Sequence, residues 1–254
     1  MSSDRRDPVF IHYEKVREDL LPWVRGRGIR TVSRGGVMED RGGMRIEDGE
    51  GLLRLVAEGT AGLMVSPLSD EGEVWCFTRL RGVGVPFEAV RLTALKLRLA
   101  LRDSGLDAMA IYDGDAGLLI GWSWGVPDPD EVPGTLTAWH ETVAGALRSA
   151  AEERLTGTPE RERIGRWLGF EAPVTLRSPQ GAGVLFEALG PGDHLRVPFS
   201  LHPGTGRGVV PLALEGLYRF EPAAAAPRRI QRLRGRPMPP LNFLRAARTA
   251  FTMH

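Results

Sequence analysis

The sequence predicts an α+β fold, a mixed or antiparallel sheet backed by helices. Short β-rich runs recur between Gly-rich turns, two long amphipathic stretches interrupt them, and the order mixes hairpins with crossover helices, unlike a doubly wound sheet. Residues 9–24 carry Val9, Tyr13, Val16, Leu20 and Trp23 at helical spacing, with Pro22 near the end. Strands are expected at Ile29–Ser33 and Met44–Glu47, then a helix over 50–58 and strands at Gly62–Ser66 and Val74–Leu80. The clearest helix is Pro86–Arg102, with Val90, Ala94, Leu97 and Leu101 on one face and Gly105 as its stop. Met109–Tyr112 and Gly117–Trp122 flank the turn Asp113-Gly114-Asp115-Ala116, which has hairpin chemistry. A Pro-rich loop over Val126–Pro133 precedes a second amphipathic helix at 136–155, with further helix at Arg161–Leu168. Strands at Gly183–Leu189, Leu195–Leu201 and Val209–Leu214 close the series; Ala223–Pro227 reads as a linker, and Leu241–Phe251 as a short helix.

A chain of 254 residues forms one large domain or two small ones, with enough length for a substantial core. Its 42% hydrophobic and 26% charged residues are ordinary for a globular protein, and no apolar run approaches the roughly 20 residues that span a bilayer. The opening MSSDRRDPVF is charged and has no apolar stretch, so no secretory signal, no membrane partner and a cytoplasmic location are expected. Cys76 is the single cysteine, which excludes an internal disulfide and a cysteine-caged zinc.

Net charge is +1, yet it is unevenly spread. From Tyr218 to His254 eight arginines face one acid, Glu221, a local +7 that leaves −6 for the preceding residues. Such asymmetry fits contact with a polyphosphate, and Arg228, Arg229, Arg232, Arg234 and Arg236 are the candidate nucleic-acid contacts. A solvated tail accounts for it equally.

The stretch RVPFSLHPGTGRGVVP, residues 196–211, sets a hydroxyl, an imidazole and two arginines around a Gly-rich turn. Arg196, Ser200, His202 and Arg207 are therefore candidate phosphate ligands, helped by backbone amides at Gly204, Gly206 and Gly208. A plain hairpin turn between strands 195–201 and 208–214 explains the same glycines without a ligand.

Four stretches together carry a resemblance: HYEKVREDLLPWVRGRGIRTVSRGG, EVWCFTRLRGVGVPFEAVRLTALKLRLALRDSGLDAM, YDGDAGLLIGW and VLFEALGPGDHLRVPFSLHPGTGRGVVPL. Over roughly residues 10–220 the chain resembles the archaeo-eukaryotic primase superfamily, most closely the polymerase domain of bacterial end-joining ligases, and also archaeal primase small subunits. The resemblance implies a primase-polymerase-like domain over 1–222, followed by a basic linker and C-terminal helix over 223–254. It also implies nucleic acid (DNA or RNA) or nucleotides as partners, together with a protein such as a primase subunit or end-joining factor.

Active members of that family place Asp-x-Asp on the strand before the long helix, Ser-Gly…His on the next hairpin and a third acid on a later strand. Nucleotidyl transfer uses such carboxylates to hold two divalent metals. Aligned this way, Thr78 and Leu80 take the first two positions, Asp113 the serine, Leu119 the histidine and Glu187 the third acid, so Thr78 and Leu80 are expected to face Glu187. A rival alignment uses Asp113 and Asp115 as the Asp-x-Asp, with Ser178 and Asp193 as later partners. Its last two motifs are 15 residues apart, too few for the intervening helices, whereas 78 to 113 leaves 35 for a strand-helix-strand unit.

The implied function is a catalytically degenerate, nucleic-acid- or nucleotide-binding accessory domain in replication priming or end-joining repair, with no cofactor. The alternatives are an active primase or polymerase using Asp113, Asp115 and Glu187 with Mg²⁺ or Mn²⁺, and a protein-interaction module. Blander roles stay open for single residues: Glu187 as an ordinary strand residue, His202 as a turn histidine, Tyr112 and Trp122 as packing rather than base-stacking groups.

Overall fold

The computed structural model describes residues 7–41, 43–103, 105–125, 130, 134–135, 138–139, 141–143, 170–171, 175–177, 183–189 and 192–230. Helix α1, Pro8–Val24, starts where the Asp7 carboxylate accepts the Val9 amide at 3.0 Å, with Pro8 in the first turn where its missing N–H costs nothing. It buries His12, Tyr13, Val16, Leu20, Trp23 and Val24. Helix α2, Gly49–Ala57, is capped by Asp48, which accepts the Gly51 amide at 2.7 Å. Helix α3, Phe87–Asp103, buries Val90, Thr93, Ala94, Leu97 and Leu101 as one stripe, and Gly105 at φ 85° turns the chain out of it.

The strands are β1 (Arg27–Ser33), β2 (Met38–Asp40), β3 (Thr60–Ser69), β4 (Glu73–Val83), β5 (Met109–Tyr112), β6 (Gly117–Gly125), β7 (Phe170–Glu171), β8 (Thr175–Arg177), β9 (Gly183–Ala188), β10 (Leu195–Arg196) and β11 (Val210–Leu212). They run antiparallel in two wings, β2-β1-β3-β10 and β11-β5-β6-β4-β9-β8-β7, joined where Leu68 of β3 pairs Val74 of β4. Strand β4 is the spine. It pairs β6 from Glu73 to Arg81, while its other edge passes from β3 to β9.

Two sequence expectations are corrected here. No strand forms at Met44–Glu47; Ile46 is buried there, and β1 is extended instead by the exposed β2. The strands expected at 195–201 and 208–214 pair with each other only near the turn, through the Leu201–Gly208 bridge and the Phe199, Val209 and His202 amides, while β10 adds to β3 and β11 to β5. The local turn closes, and long-range pairing takes the outer ends of both strands. Of the helix expected over 136–155, residues 138–139 and 141–143 are helical; the rest, like 161–168 and 241–251, lies outside the described residues.

Burial explains how the wings are held. Arg27 of β1 is 2% exposed, bonds the Pro67 carbonyl at 2.6 Å and Glu73 at 2.5 Å, and stacks 3.6 Å from the Trp75 ring centre. Its guanidinium so clamps β1, β3 and β4, and burial lowers its pKa to about 10 against the opposing pull of Glu73. After β11, α4 (Leu214–Arg219), a 3₁₀ turn at Pro222–Ala225 and α5 (Pro227–Ile230) fold back onto the domain. Ala225 and Ile230 are buried, and the Gly208 amide bonds the Ala225 carbonyl at 2.8 Å, so the head of the expected linker is packed.

Candidate functional site

Alternation along β4 decides what faces the site. Trp75 and Phe77 are buried toward α1, where Trp23 meets Trp75 edge-on with ring centres 5.5 Å apart, and the same row then emerges as Arg79 and Arg81. Arg79 lies directly opposite Glu187 of β9 and Leu119 of β6. Its Nη1 is 3.4 Å from the Glu187 carboxylate and its Nε 3.9 Å from that of Asp113; Arg81 Nη1 is 3.9 Å from Glu187.

Thr78 and Leu80 therefore do not face Glu187, contrary to the alignment. They point to the opposite side, registered with Ala188 and Phe186, and are buried; the Thr78 hydroxyl accepts the Trp139 indole N–H at 3.1 Å. One residue in a strand exchanges faces, and the row that meets Glu187 is Arg79 and Arg81. Leu119, at the expected histidine position, does stand on the Arg79 side and is buried. Arg79 and Arg81 were the residues missed. The signal was present: Thr78 and Leu80 alternate with charged neighbours as a core face does.

Asp113 closes the β5–β6 turn. Its Oδ1 accepts amides from Asp115 at 2.9 Å and Gly117 at 3.0 Å, and a Cβ on Gly117 would lie 2.3 Å from its Oδ2, so glycine there makes room for the carboxylate. Asp115 is exposed, its carbonyl accepting the Tyr112 hydroxyl at 2.5 Å. In the rival alignment, Asp193 is exposed and Ser178 lies outside the described residues.

The Gly-rich segment crosses from one wing to the other over this turn. Phe199, at φ 68°, bends the chain sharply, held by Val209, whose carbonyl accepts its amide at 2.8 Å, and by His12 Nε2, which donates to the Phe199 carbonyl at 2.8 Å. Tyr13 accepts the Leu201 amide and donates to Ala61. Ser200 is fully buried and donates to the Val197 carbonyl at 2.6 Å, so its hydroxyl ties the bend rather than facing a phosphate.

His202 Nδ1 accepts the amides of Gly204 and Thr205, both at 3.2 Å, which fixes the ring with its other nitrogen as donor. Thr205 donates to the Gly114 carbonyl at 2.6 Å, stapling the two turns together. Burial and then the Arg196 charge lower the His202 pKa against the pull of Asp115 and Asp113, which favours the neutral imidazole. Arg207 Nη1 is 3.5 Å from the Tyr112 hydroxyl. Arg196, projecting from β10, has its pKa lowered by burial, opposed by Asp113; Arg79 adds a further lowering. Arg196 Nη1 and Arg79 Nε are buried without a hydrogen-bond partner.

Tyr112 packs among Phe87 and Phe220, with centres 5.7 and 4.9 Å away, and Trp122 is buried; both are packing groups. Arg228 and Arg229 are exposed on α5, while Arg232, Arg234 and Arg236 lie outside the described residues. The metal pair implied by the resemblance does not fit this donor set, because guanidiniums occupy the strand positions facing Glu187 and cannot ligate a hard cation. Among the described residues no group of three or more His, Cys, Asp or Glu is placed to hold a metal ion, and no helix is long and apolar enough to cross a membrane.

No family model matches the chain, and no curated protein matches it. A solved structure does: the polymerase domain of Mycobacterium tuberculosis Ligase D, determined in complex with DNA, superposes with a TM-score of 0.67 at 17% identity, covering 94% of this chain and 91% of that one. The chain has a primase-polymerase-like fold.

Proposed function

We propose that this chain is a primase-polymerase-like domain of the archaeo-eukaryotic primase type that binds nucleic acid or nucleotides without transferring them. It acts as an accessory subunit in replication priming or end-joining repair. The observation that carries this reading is the pair Arg79 and Arg81 facing Glu187, with Arg79 between Asp113 and Glu187. Two-metal transfer needs converging carboxylates to gather +4 of cation charge, and two guanidiniums there repel it. An active site built from Asp113, Asp115 and Glu187 would have to displace Arg79, which lies against Asp113 Oδ2 while Oδ1 accepts two backbone amides.

DNA is the favoured partner because the similar polymerase domain was solved with it. The exposed Arg228 and Arg229 lead into a segment carrying Arg232, Arg234, Arg236, Arg245 and Arg248. A protein partner from the same assembly and a cytoplasmic location belong to this proposal. Primer extension on gapped template DNA with Mn²⁺ tests it. We expect no extension; template-dependent incorporation that disappears in Glu187→Ala would overturn it.

A further inference from the structure

We infer that the face bearing Arg79, Arg81 and Arg196 is a metal-independent site for a terminal phosphate or polyphosphate, bound directly by guanidiniums with Glu187 as an internal competitor. The inference rests on the binding reading above and names its ligand chemistry. Arg79 and Arg81 are two residues apart on one strand, so their side chains leave the same face side by side. Both pair with Glu187, at 3.4 and 3.9 Å, distances at which the ion pairs are loose and replaceable.

The donors are not exhausted by these pairs. Arg79 Nε, 3.9 Å from the Asp113 carboxylate, and Arg196 Nη1 make no hydrogen bond, although buried donors are satisfied in nearly all proteins. The outer nitrogens of Arg79 and Arg81, held only by loose pairs to Glu187, are the donors a phosphate oxygen would take. Arg196, in electrostatic reach of Arg79, Asp113 and Asp115, and Arg207, 3.5 Å from the Tyr112 hydroxyl, add to Arg79 and Arg81 beside the carboxylates Asp113, Asp115 and Glu187, and Asp113 Oδ1 accepts two backbone amides. The balance favours an anion. Arg81, with its side chain 59% exposed, is open to solvent, which gives the ligand its approach.

The test uses sodium tripolyphosphate titrated calorimetrically into the full-length protein, in EDTA and again in Mg²⁺. Binding in EDTA is expected, with Arg81→Gln weakening it about tenfold or more, as removal of a charge-assisted hydrogen bond does. Glu187→Gln is the decisive variant. Removing a metal ligand would weaken a metal-bridged polyphosphate, whereas removing a competitor frees both arginines, so several-fold tighter binding is expected. Glu187 is partly exposed and the swap is isosteric, so folding is not at stake. Binding only with Mg²⁺, or unchanged or weaker binding in Glu187→Gln, overturns the inference.

Arms with ATP, and with 5′-phosphorylated against 5′-hydroxyl oligonucleotides, separate a nucleotide source from a strand-end source. An oligonucleotide that binds while tripolyphosphate does not would sink this inference and leave the binding reading standing. If neither binds, both fail.

Discussion

Arg79 sits between the carboxylates of Asp113 and Glu187, and its charge fixes the chemistry of the whole face. Other single residues serve the scaffold. Ser200→Ala should cost about 1 kcal/mol in chemical denaturation and leave polyphosphate affinity unchanged, because its hydroxyl is spent on Val197. Arg27→Met leaves Glu73, still bonded by Ser123, without its buried partner; a loss of about 3 kcal/mol is expected, at the low end for a broken buried pair since Glu73 is partly exposed. His12 is fully buried, and desolvation first, with Lys15 adding to it, lowers its pKa below the usual 6.5 against the Phe199 carbonyl bond. The unfolded chain therefore takes up the proton first. Stability is full above about pH 6.5 and falls as pH drops below it. Thermal melts between pH 5 and 7.5 should show this fall, less steep in His12→Gln, which keeps a donor for Phe199; an unchanged slope would remove His12 as its source.

At the scale of elements, the stapled turns 113–117 and 202–207 set the geometry that the arginines use. Gly114 has φ 87° and a Cβ there would lie 2.7 Å from the His202 Cβ, so Gly114→Ala should cost about 1 to 3 kcal/mol and loosen both turns. Amide exchange at Gly204 and Thr205, faster in the variant, checks the coupling. Helices α1, α2 and α3 were legible in the sequence because each carries a continuous apolar stripe, whereas the short α4 and α5 were not foreseen. The face of β4 was not read correctly. The family resemblance placed Thr78 and Leu80 at the site, while the local apolar alternation puts them in the core. The path of 197–209 was illegible for another reason: its ends pair with β3 and β5, far away in sequence, and nothing local announces that. Ser200 read as a ligand because its hydroxyl type was visible and its burial was not.

For the whole molecule, the basic C-terminal segment and the arginine face belong to one electrostatic account. Ile230 is buried, its Cδ1 1.9 Å from where a Gly208 Cβ would stand, so a truncation that spares the fold begins after it. Deleting 231–254 removes Arg232, Arg234, Arg236, Arg245 and Arg248. If these lie along nucleic acid, the log-log dependence of affinity on salt flattens by about 0.7 to 0.9 for each phosphate that the deletion leaves unneutralised. If the segment instead docks a protein, the slope stays and the complex with that protein falls apart.

The most direct measurement is filter binding of gapped DNA to the full-length protein across a salt series, in EDTA and in Mg²⁺. A domain that binds through arginine rather than through metal binds in EDTA, loses affinity steeply with salt, and gains nothing from Mg²⁺ beyond its ionic strength. Absence of salt-dependent binding, or binding that appears only when Mg²⁺ is supplied, would contradict it.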